Sequence, residues 1–369
     1  MRGLWEQKKP GVLIKPFLGG LALLSFVYGG LCWLRFFLYQ IGLLKIKRLN
    51  IPVISVGNLT VGGTGKTPLV IALAEYLSRK GLKVSVLSRG YKGRRKMDLG
   101  WVSDGQRLIA DPSQVGEEPY LIASRLRQVP VVVGRDRYES GQRLLEGFNA
   151  DVILLDDGFQ HLQLHRDINL LVIDGTLPFG HSHSNGWLLP RGILRESLWG
   201  MRRASAVLVS RMEQCHAPQA QWAVIVRQIR HYHPEVPVFG IYFKPTGLIH
   251  LRSVQGKDAA SLKGQPVLAF SGIGRPASFR FFLEQLGANV IREVVFEDHH
   301  RYTLQEIREF LRTAETERCE ILVTTDKDGV KVREFLNQDD PIWALRVDLD
   351  RIEDHQAWEQ LIREHIKID

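Results

Sequence analysis

The sequence predicts an α/β fold: a P-loop NTPase-type parallel sheet domain, a second, smaller α/β domain, and an N-terminal membrane-associated helix. Three observations lead to this prediction. Short apolar runs alternate with helical patterns from residue 52 onward, the glycine-rich run NLTVGGTGKTP follows the first of them, and residues 16–34 carry no charge. Continuous apolar strands separated by helices are typical of parallel sheets covered on both faces.

Composition narrows the class of protein. The chain has 369 residues, 44% of them hydrophobic, and a formal net charge of +9. This length favours two globular units, and the hydrophobic content argues against disorder. The positive charge favours an anionic partner, which is a nucleotide, a nucleic acid or a membrane surface. Cys32, Cys215 and Cys319 form no Cys-x-x-Cys pair, which argues against a disulfide framework and fits a reducing cytosol.

The first fifty residues are predicted to be a membrane-anchor segment. Its uncharged stretch is nearly long enough to cross a bilayer, and a helix lying at the interface is equally allowed. A buried core helix is the remaining alternative. The positive-inside rule gives no orientation because basic residues flank both sides, namely Lys8, Lys9, Lys15, Arg35, Lys45, Lys47 and Arg48. With no small-residue cleavage site after the run, a removed signal peptide is not expected.

The P-loop domain is predicted to cover residues 51–236. Its predicted strands are 52–57, 83–88, 130–134, 151–157, 168–174 and 206–210, and its predicted helices begin near residues 66, 117 and 137. Residues 175–203 show no periodicity, which predicts a long surface loop or lid.

A hairpin-like linker is predicted at 237–265, with the turn at 244–246 between two short extended pieces. The smaller α/β domain then covers 266–369. Its predicted strands are 266–274, 289–296, 320–328 and 341–348, and its predicted helices are 276–287, 303–316 and a final one ending near 367.

The strongest chemical signal is the P-loop itself, because it lies between a strand and a helix. Glycines there let backbone amides turn toward phosphate oxygens, and the helix N-terminus adds its positive dipole end. Lys66 is predicted to neutralise the β and γ phosphates and Thr67 to hold magnesium. The motif departs from the usual pattern at its first position, where Thr60 replaces glycine. The predicted nucleotide-binding residues are Thr60, Val61, Gly62, Gly63, Thr64, Gly65, Lys66 and Thr67.

A second signal is VILLDDGFQH at 152–161, where Asp156 and Asp157 follow a buried strand. Ligands of open α/β sheets bind at the carboxyl ends of the strands, and an aspartate there can reach the magnesium. Adjacent strand residues point to opposite faces, so both aspartates need not be ligands.

Eight motifs together resemble a known family. TVGGTGKTP, SRGY, GEEP, GRDR, DDGFQH, PRGILRE, DHHRY and TDKD occur in the order and spacing of the tetraacyldisaccharide 4'-kinases, the lipid A 4'-kinases of Gram-negative bacteria. The resemblance covers essentially the whole chain. It implies that ATP and Mg²⁺ serve to phosphorylate the 4'-hydroxyl of a tetraacyldisaccharide 1-phosphate lipid A precursor. It also implies an inner-membrane enzyme with catalytic domains on the cytoplasmic face, anchored by the N-terminal segment, with no obligate protein partner and no nucleic acid.

The resemblance also implies residue roles. Lys66 and Thr67 bind nucleotide and magnesium, with Asp156 and Asp157 as magnesium-side acids. The family's catalytic acid lies in a Gly-Asp-Glu-Pro motif, where this chain has Glu117, longer by one methylene. Glu117 is therefore the candidate base for the sugar hydroxyl, with His299 as its partner. The catalytic set is Glu117, His299, Lys66 and Asp156, and the substrate set is Arg89, Glu118, Arg137, Gln160, Arg195 and Glu196.

Other interpretations remain open at this stage. A membrane-associated NTPase switch that hydrolyses ATP for a partner protein would use the same P-loop, and a nucleic-acid-binding ATPase would use the charge but lacks a recognition motif. Asp298, His299 and His300 are an alternative metal site. His181 and His183 are interpreted as exposed polar residues. A basic cluster that meets an anionic membrane or is simply solvated comprises Lys92, Arg94, Arg95 and Lys96.

Overall fold

The computed structural model describes residues 15–90, 99–180 and 184–366. The predicted basic cluster at 92–96 and the histidines at 181 and 183 lie outside these residues. The first described element is helix α1, Lys15–Gln40, which contains the uncharged stretch.

The first half of the chain forms a parallel sheet covered by helices, as the alternating apolar runs predict. Along the sheet the order is β3-β4-β2-β5-β1-β6-β7, and every neighbouring pair is parallel except β3 with β4. The strands are β1 Val53–Gly57, β2 Val84–Ser88, β3 Leu99–Ser103, β4 Val131–Gly134, β5 Val152–Asp156, β6 Ile168–Asp174 and β7 Ala206–Ser210. The helices are α2 Lys66–Arg79, α3 Pro112–Val115, α4 Glu117–Arg125, α5 Arg137–Gly147 and α6 Pro218–Tyr232.

The second half continues the same sheet. The strands are β8 Val238–His250, β9 Gly256–Lys257, β10 Pro266–Ser271, β11 Asn289–Val295, β12 Ile321–Thr325 and β13 Ile342–Ile352. The helices are α7 Pro276–Gln285, α8 Leu304–Thr316, α9 Asp326–Val332 and α10 His355–His365. Beyond β7 the order is β8-β13-β12-β10-β11, with β9 paired to β8. Because β13 is antiparallel to β8, the described strands form one mixed sheet of 13 strands.

The two long central strands, β8 and β13, orient the two halves of the sheet so that the carboxyl ends of their parallel strands face each other. β7 pairs in parallel with the first residues of β8, whereas β12 pairs in parallel with the first residues of β13. Since β8 and β13 are antiparallel, these pairings lie at opposite ends of the long pair. The carboxyl ends of β1 and β5 therefore face those of β10 and β12. Ligands bind at such edges, so the fold places a binding cleft between them.

The predicted hairpin turn at 244–246 is wrong, because β8 runs without a break from Val238 to His250. Its register against β13 shifts between Arg346 and Val347, which lie opposite Gly247 and Pro245. A bulge at this point accommodates a proline that has no N–H to donate. The chain reverses later, where Ile249 pairs with Gly256 of β9. The domain limits 51–236 and 266–369 stay predictions.

The irregular segment after β6 differs from a simple surface loop. Its described residues contain only the short 3-10 helix Leu198–Arg203, as the lack of periodicity predicts. Its middle is nevertheless buried, because Ile193 accepts a hydrogen bond from the amide of Val61 and Leu194 bridges to Thr60. Through these two contacts, the segment packs against the first residues of the P-loop.

Helix α1 packs on the body through one face only. Leu18, Leu21 and Ser25 are buried, whereas apolar side chains such as Phe26 and Leu31 are exposed on the other face. Residues Leu18–Gln40 are long and apolar enough to cross a membrane, with a mean hydropathy of 1.7, and 11% of the most apolar window is buried. The alternative of a buried core helix is therefore wrong.

Candidate functional site

A cavity of about 1140 Å³ lies where the two sets of strand ends face each other. Residues 61–68 of the P-loop form one wall, and residues 273–275 together with the start of α9 form the opposite wall. Helix α1 closes a third side through Tyr28, Cys32, Arg35 and Phe36. The predicted anchor thus contributes directly to the site, which the sequence pattern alone did not indicate.

The P-loop has the backbone geometry that the glycine pattern predicts. Gly62 and Gly65 have φ angles of 106° and 89°, a region that glycine adopts without strain. Gly65 is the N-cap of α2, so Lys66 and Thr67 form the first turn of that helix. Ser210, the last residue of β7, and Arg211, which follows it, donate hydrogen bonds of 2.9 and 2.8 Å to the carbonyls of Thr64 and Gly63. These hydrogen bonds fix the conformation of the loop, whose residues 61–68 line the cavity.

Lys66 links the P-loop to the aspartates after β5. Its Nζ donates to Asn58 Oδ1 at 3.1 Å and lies 3.4 Å from Asp157 Oδ1. Arg195 NH1 lies 2.7 Å from the other oxygen of Asp157. Although burial raises the pKa of Asp157, the charges of Lys66 and Arg195 hold it far below its usual range. Asp157 also has a positive φ of 50°, a strained conformation of the kind that persists at functional sites.

Asp156 is the deeper of the two aspartates. It is 2% exposed and does not itself line the cavity; Ser88 Oγ donates to it at 2.9 Å. Burial, followed by the charges of Glu118 and Asp157, raises its pKa to about 7. Asp156, Asp157 and Glu118 are therefore close enough for each charge to affect the others, and Thr67 lines the same cavity. Carboxylate and hydroxyl oxygens suit Mg²⁺, and a cation would relieve the repulsion, so the residues present fit this metal.

Glu117 and His299 meet across the cleft, as the family resemblance implies. His299 Nδ1 lies 3.1 Å from Glu117 Oε2, and both side chains are largely buried. His299 lines the cavity, and Glu117 lies beside it. Burial raises the pKa of Glu117, but the hydrogen bond with His299 and the charges of Lys331 and Lys327 outweigh it and keep that pKa below its usual value.

Helix α9 supplies functional residues that the sequence analysis missed. Lys331 Nζ lies 3.5 Å from Glu117 Oε1 and 2.8 Å from the fully buried Asp328. Lys327 Nζ lies 2.8 Å from Glu118, and this carboxylate raises the pKa of Lys327 even though burial lowers it. The signal was present in TDKD and the residues after it, because Lys331 follows Asp328 by three positions and Lys327 by four, which places them on one helix face.

The predicted substrate residues after β5 form a connected polar network. Gln160 Nε2 donates to Asn58 O and to Glu196 Oε1, both at 2.8 Å. Glu196 also pairs with Arg203 at 2.6 Å. Arg195 pairs with Asp157, and its neighbour Glu196 accepts a hydrogen bond from Gln160. The PRGILRE motif therefore fixes the positions of the side chains around Lys66.

Arg89 and Arg137 line the same cavity from β2 and α5. Arg137 is 4% exposed, and burial followed by the charge of Arg89 lowers its pKa to about 10. Two guanidinium groups that repel each other inside a cavity favour an anionic ligand. Thr60 is buried below the cavity, where its carbonyl accepts from Asn58 Nδ2 at 2.8 Å.

The alternative metal site at residues 298–300 is wrong. His299 faces Glu117, whereas His300 Nε2 lies 3.0 Å from Glu306, so the two rings point to different partners. Within the described ranges, no three His, Cys, Asp or Glu side chains form a metal site by themselves, so Mg²⁺ at Asp156 and Asp157 would need further oxygens, from Thr67 and a bound nucleotide.

The chain is similar to proteins of one known family over nearly its whole length. The family model described as tetraacyldisaccharide-1-P 4'-kinase matches residues 19–367. The tetraacyldisaccharide 4'-kinase of Syntrophus aciditrophicus is 38% identical, with 99% of this chain and 98% of the relative covered. That of Pelobacter propionicus is 40% identical, covering 84% and 81%. The crystal structure of LpxK from Aquifex aeolicus in complex with ATP has a TM-score of 0.73 and 33% identity, covering 95% of this chain and 99% of that one.

Proposed function

We propose a role for each site residue of this chain, which belongs to the tetraacyldisaccharide-1-phosphate 4'-kinase family. The chain transfers phosphate from ATP to the 4'-hydroxyl of a lipid A precursor with Mg²⁺. A partner-coupled NTPase switch is not favoured, since the matched relatives are kinases. The observation that carries the proposal is the Glu117–His299 contact, which joins the two halves of the sheet beside the P-loop.

The P-loop binds and orients the triphosphate. Backbone amides of residues 62–67 at the N-terminus of α2 surround the phosphates, and Lys66 moves from Asp157 to the β and γ phosphates. Thr67, Asp156 and Asp157 would hold Mg²⁺, which when bound neutralises phosphate oxygens. Arg195 keeps Asp157 ionised and in position for this role.

The Glu117–His299 pair accepts the proton of the 4'-hydroxyl. A sugar hydroxyl is a weak nucleophile, so a nearby base assists its attack on the γ phosphorus. The low pKa of Glu117 keeps this pair able to take up a proton at neutral pH. His299 stands on the cavity side, and Lys331 holds the far oxygen of Glu117. The one-methylene departure from the family's aspartate is thereby accommodated by contacts at both ends of the carboxylate.

Recognition of the acceptor is assigned to polar residues around the cavity. Their guanidinium, amide and carboxylate groups suit a phosphorylated, hydroxyl-rich disaccharide. This set contains Arg89, Glu118, Arg137, Gln160, Arg195 and Glu196, all of which line the cavity.

The enzyme is associated with the membrane, and we assign the contact to α1, lying in the plane of the interface. Ser25 Oγ donates to Leu188 O at 2.8 Å, and Tyr28 OH donates to Arg195 O at 2.6 Å. A helix tied to the body along one face cannot be surrounded by lipid, whereas its exposed apolar face can enter one leaflet. Since ATP is supplied in the cytosol, the cavity faces the cytoplasmic side. A cysteine replacing exposed Val254 should then react with an impermeant maleimide in inverted vesicles but not in spheroplasts.

The kinase assignment is tested with γ-labelled ATP, Mg²⁺ and the tetraacyldisaccharide 1-phosphate in detergent. Label should enter the lipid, and Lys66→Ala should reduce the rate by roughly a hundredfold or more. Lys80→Ala is the matched control, because Lys80 lies beyond the other end of α2 and pairs with Glu359. Consumption of ATP with label only in free phosphate would contradict the assignment.

A further inference from the structure

Beside α1, the surface carries an exposed tryptophan whose ring lies close to an arginine and to two aromatic side chains. Trp199, in the 3-10 helix Leu198–Arg203, is 51% exposed. The guanidinium of Arg202 lies 4.5 Å from the centre of its ring, and Arg202 Nε donates to Tyr232 O at 3.1 Å. The rings of Tyr232 and His231 lie 5.2 and 6.4 Å from that of Trp199. We call Trp199, Arg202, His231 and Tyr232 the aromatic-basic patch.

The surroundings of this patch are basic. Helix α6, which supplies His231 and Tyr232, contains no acidic residue in its sequence PQAQWAVIVRQIRHY. Its exposed residues include Arg227 and Arg230. No Asp or Glu occurs at 197–206 or at 214–234 either. The patch therefore complements an anionic surface; the acidic residues nearest to it in sequence are Glu196, which pairs with Arg203, and the exposed Glu235.

The segment that carries the patch also contacts the C-terminal part of α1. The guanidinium of Arg203, next to Arg202, lies 5.4 Å from the ring of Phe36 in α1. On the same part of α1, the rings of Trp33 and Phe37 stack at 5.3 Å, and both side chains are exposed. A lipid surface that receives this end of α1 therefore also lies close to Trp199.

We propose that the aromatic-basic patch is a second membrane contact, which binds the headgroup region of anionic phospholipids. Tryptophan favours the membrane–water interface, and arginines near anionic lipid are attracted to its phosphates. With only α1 in the bilayer, the body could roll about the helix axis. A second contact on one side stops that rotation and fixes the direction in which the cavity opens. The inference rests on the proposed anchoring by α1.

Quenching by spin-labelled lipids separates the two contacts. The three native cysteines are replaced by serine, and a single cysteine is introduced by Leu31→Cys on α1, His231→Cys in the patch or Val295→Cys on β11. A fluorophore is attached to the introduced cysteine. Each full-length protein is then bound to phosphatidylglycerol vesicles that contain lipids with a nitroxide on the headgroup. We expect quenching at 31 and 231 but not at 295. Quenching at 31 without quenching at 231 would overturn the patch, whereas quenching at neither would overturn the anchoring by α1.

Charge removal provides an independent test. The triple variant Arg202→Ser, Arg227→Ser, Arg230→Ser should lose affinity for phosphatidylglycerol vesicles by about fivefold per arginine. The matched control is Arg308→Ser, Arg312→Ser, Arg318→Ser, which removes the same charge from exposed positions near α8. Both should keep normal turnover of substrate dispersed in neutral detergent. Equal loss of affinity in both variants, or normal vesicle binding by the patch variant, would overturn the proposal; the latter would leave a partner protein as the occupant.

Discussion

At the level of single residues, the Glu117–His299 contact makes activity depend on pH in a defined direction. The hydrogen bond from His299 is the largest influence that lowers the pKa of Glu117 against the effect of burial. Removing it raises that pKa, so the ionised form of Glu117 is lost at a higher pH than in the wild type. The acid side of the activity profile then moves toward neutrality.

His299→Ala should therefore shift the acid limb of kcat/KM upward by about one pH unit and lower the rate by roughly a hundredfold. The measurement is kcat/KM for the lipid between pH 5 and 9. His300→Ala is the control, because His300 lies 3.0 Å from Glu306 and does not contact Glu117. An unshifted acid limb in His299→Ala would remove Glu117 from the proton-accepting pair.

Contiguous motifs in the sequence pointed to most of the residues that the structure brings together at the cavity, whereas Lys331, which lies in no such motif, was missed. The P-loop and the two aspartates could be predicted because strand, turn and helix are local patterns. Lys331 was missed because its role depends on a contact with Glu117, which lies more than 200 positions earlier in the chain. Such a contact depends on how the two halves of the sheet face each other, which no local pattern encodes.

At the level of elements, α1 forms a wall of the cavity in addition to its proposed role as an anchor. Ser25 Oγ donates to Leu188 O and accepts from the amide of Arg191, so one buried hydroxyl fastens the helix to the start of PRGILRE and to the residues just before it. Tyr28 and Cys32 then lie over the cavity. A periodicity analysis could identify the apolar helix, but not that its less exposed face completes a polar site.

Ser25→Val should weaken the docking of α1 by about 1–3 kcal/mol, because the carbonyl of Leu188 and the amide of Arg191 lose a buried partner. We expect a raised KM for the lipid and faster limited proteolysis after residue 184. Leu24→Val, at an exposed position on the same helix, should change neither. Unaltered proteolysis in Ser25→Val would show that apolar packing alone docks the helix.

The strands were predicted more accurately than their connections. Buried parallel strands are continuous apolar runs, so most of them stand out, whereas the short edge strand β3 and helix α6 were not recognised. The turn expected at 244–246 is absent because a bulge opposite β13 allows Pro245, a residue that normally interrupts a strand, to lie within β8.

At the level of the whole molecule, Arg125 joins the two halves of the sheet. Its guanidinium contacts Asp326 at 2.7 Å and also pairs with Asp348, and the arginine side chain is 9% exposed. Burial raises the pKa of Asp326, and Arg125 is the main group that opposes this effect. Without the arginine, two carboxylates would remain in the interface without their main cation.

Arg125→Met should lower the free energy of unfolding by about 3–5 kcal/mol, since one partner of a buried ion pair is removed. Urea unfolding at pH 7 measures this loss. The double variant Arg125→Met, Asp326→Asn should recover part of it, because the uncompensated charge is also removed. Equal destabilisation of the two variants would indicate that packing of the arginine side chain, and not its charge, is the main contribution.

The antiparallel junction between β8 and β13 also has a consequence during protein synthesis. One edge of β8 can pair with β7 as soon as β8 has been synthesised. Its other edge stays unpaired until β13 has been synthesised, and β13 ends at Ile352, about a hundred residues later. Until then, a nascent chain presents unpaired backbone amides and carbonyls, the kind of edge that recruits other chains. A chain ending at residue 336 should therefore self-associate, whereas one that includes β13 should not. Sedimentation of the two products from a cell-free translation would compare them.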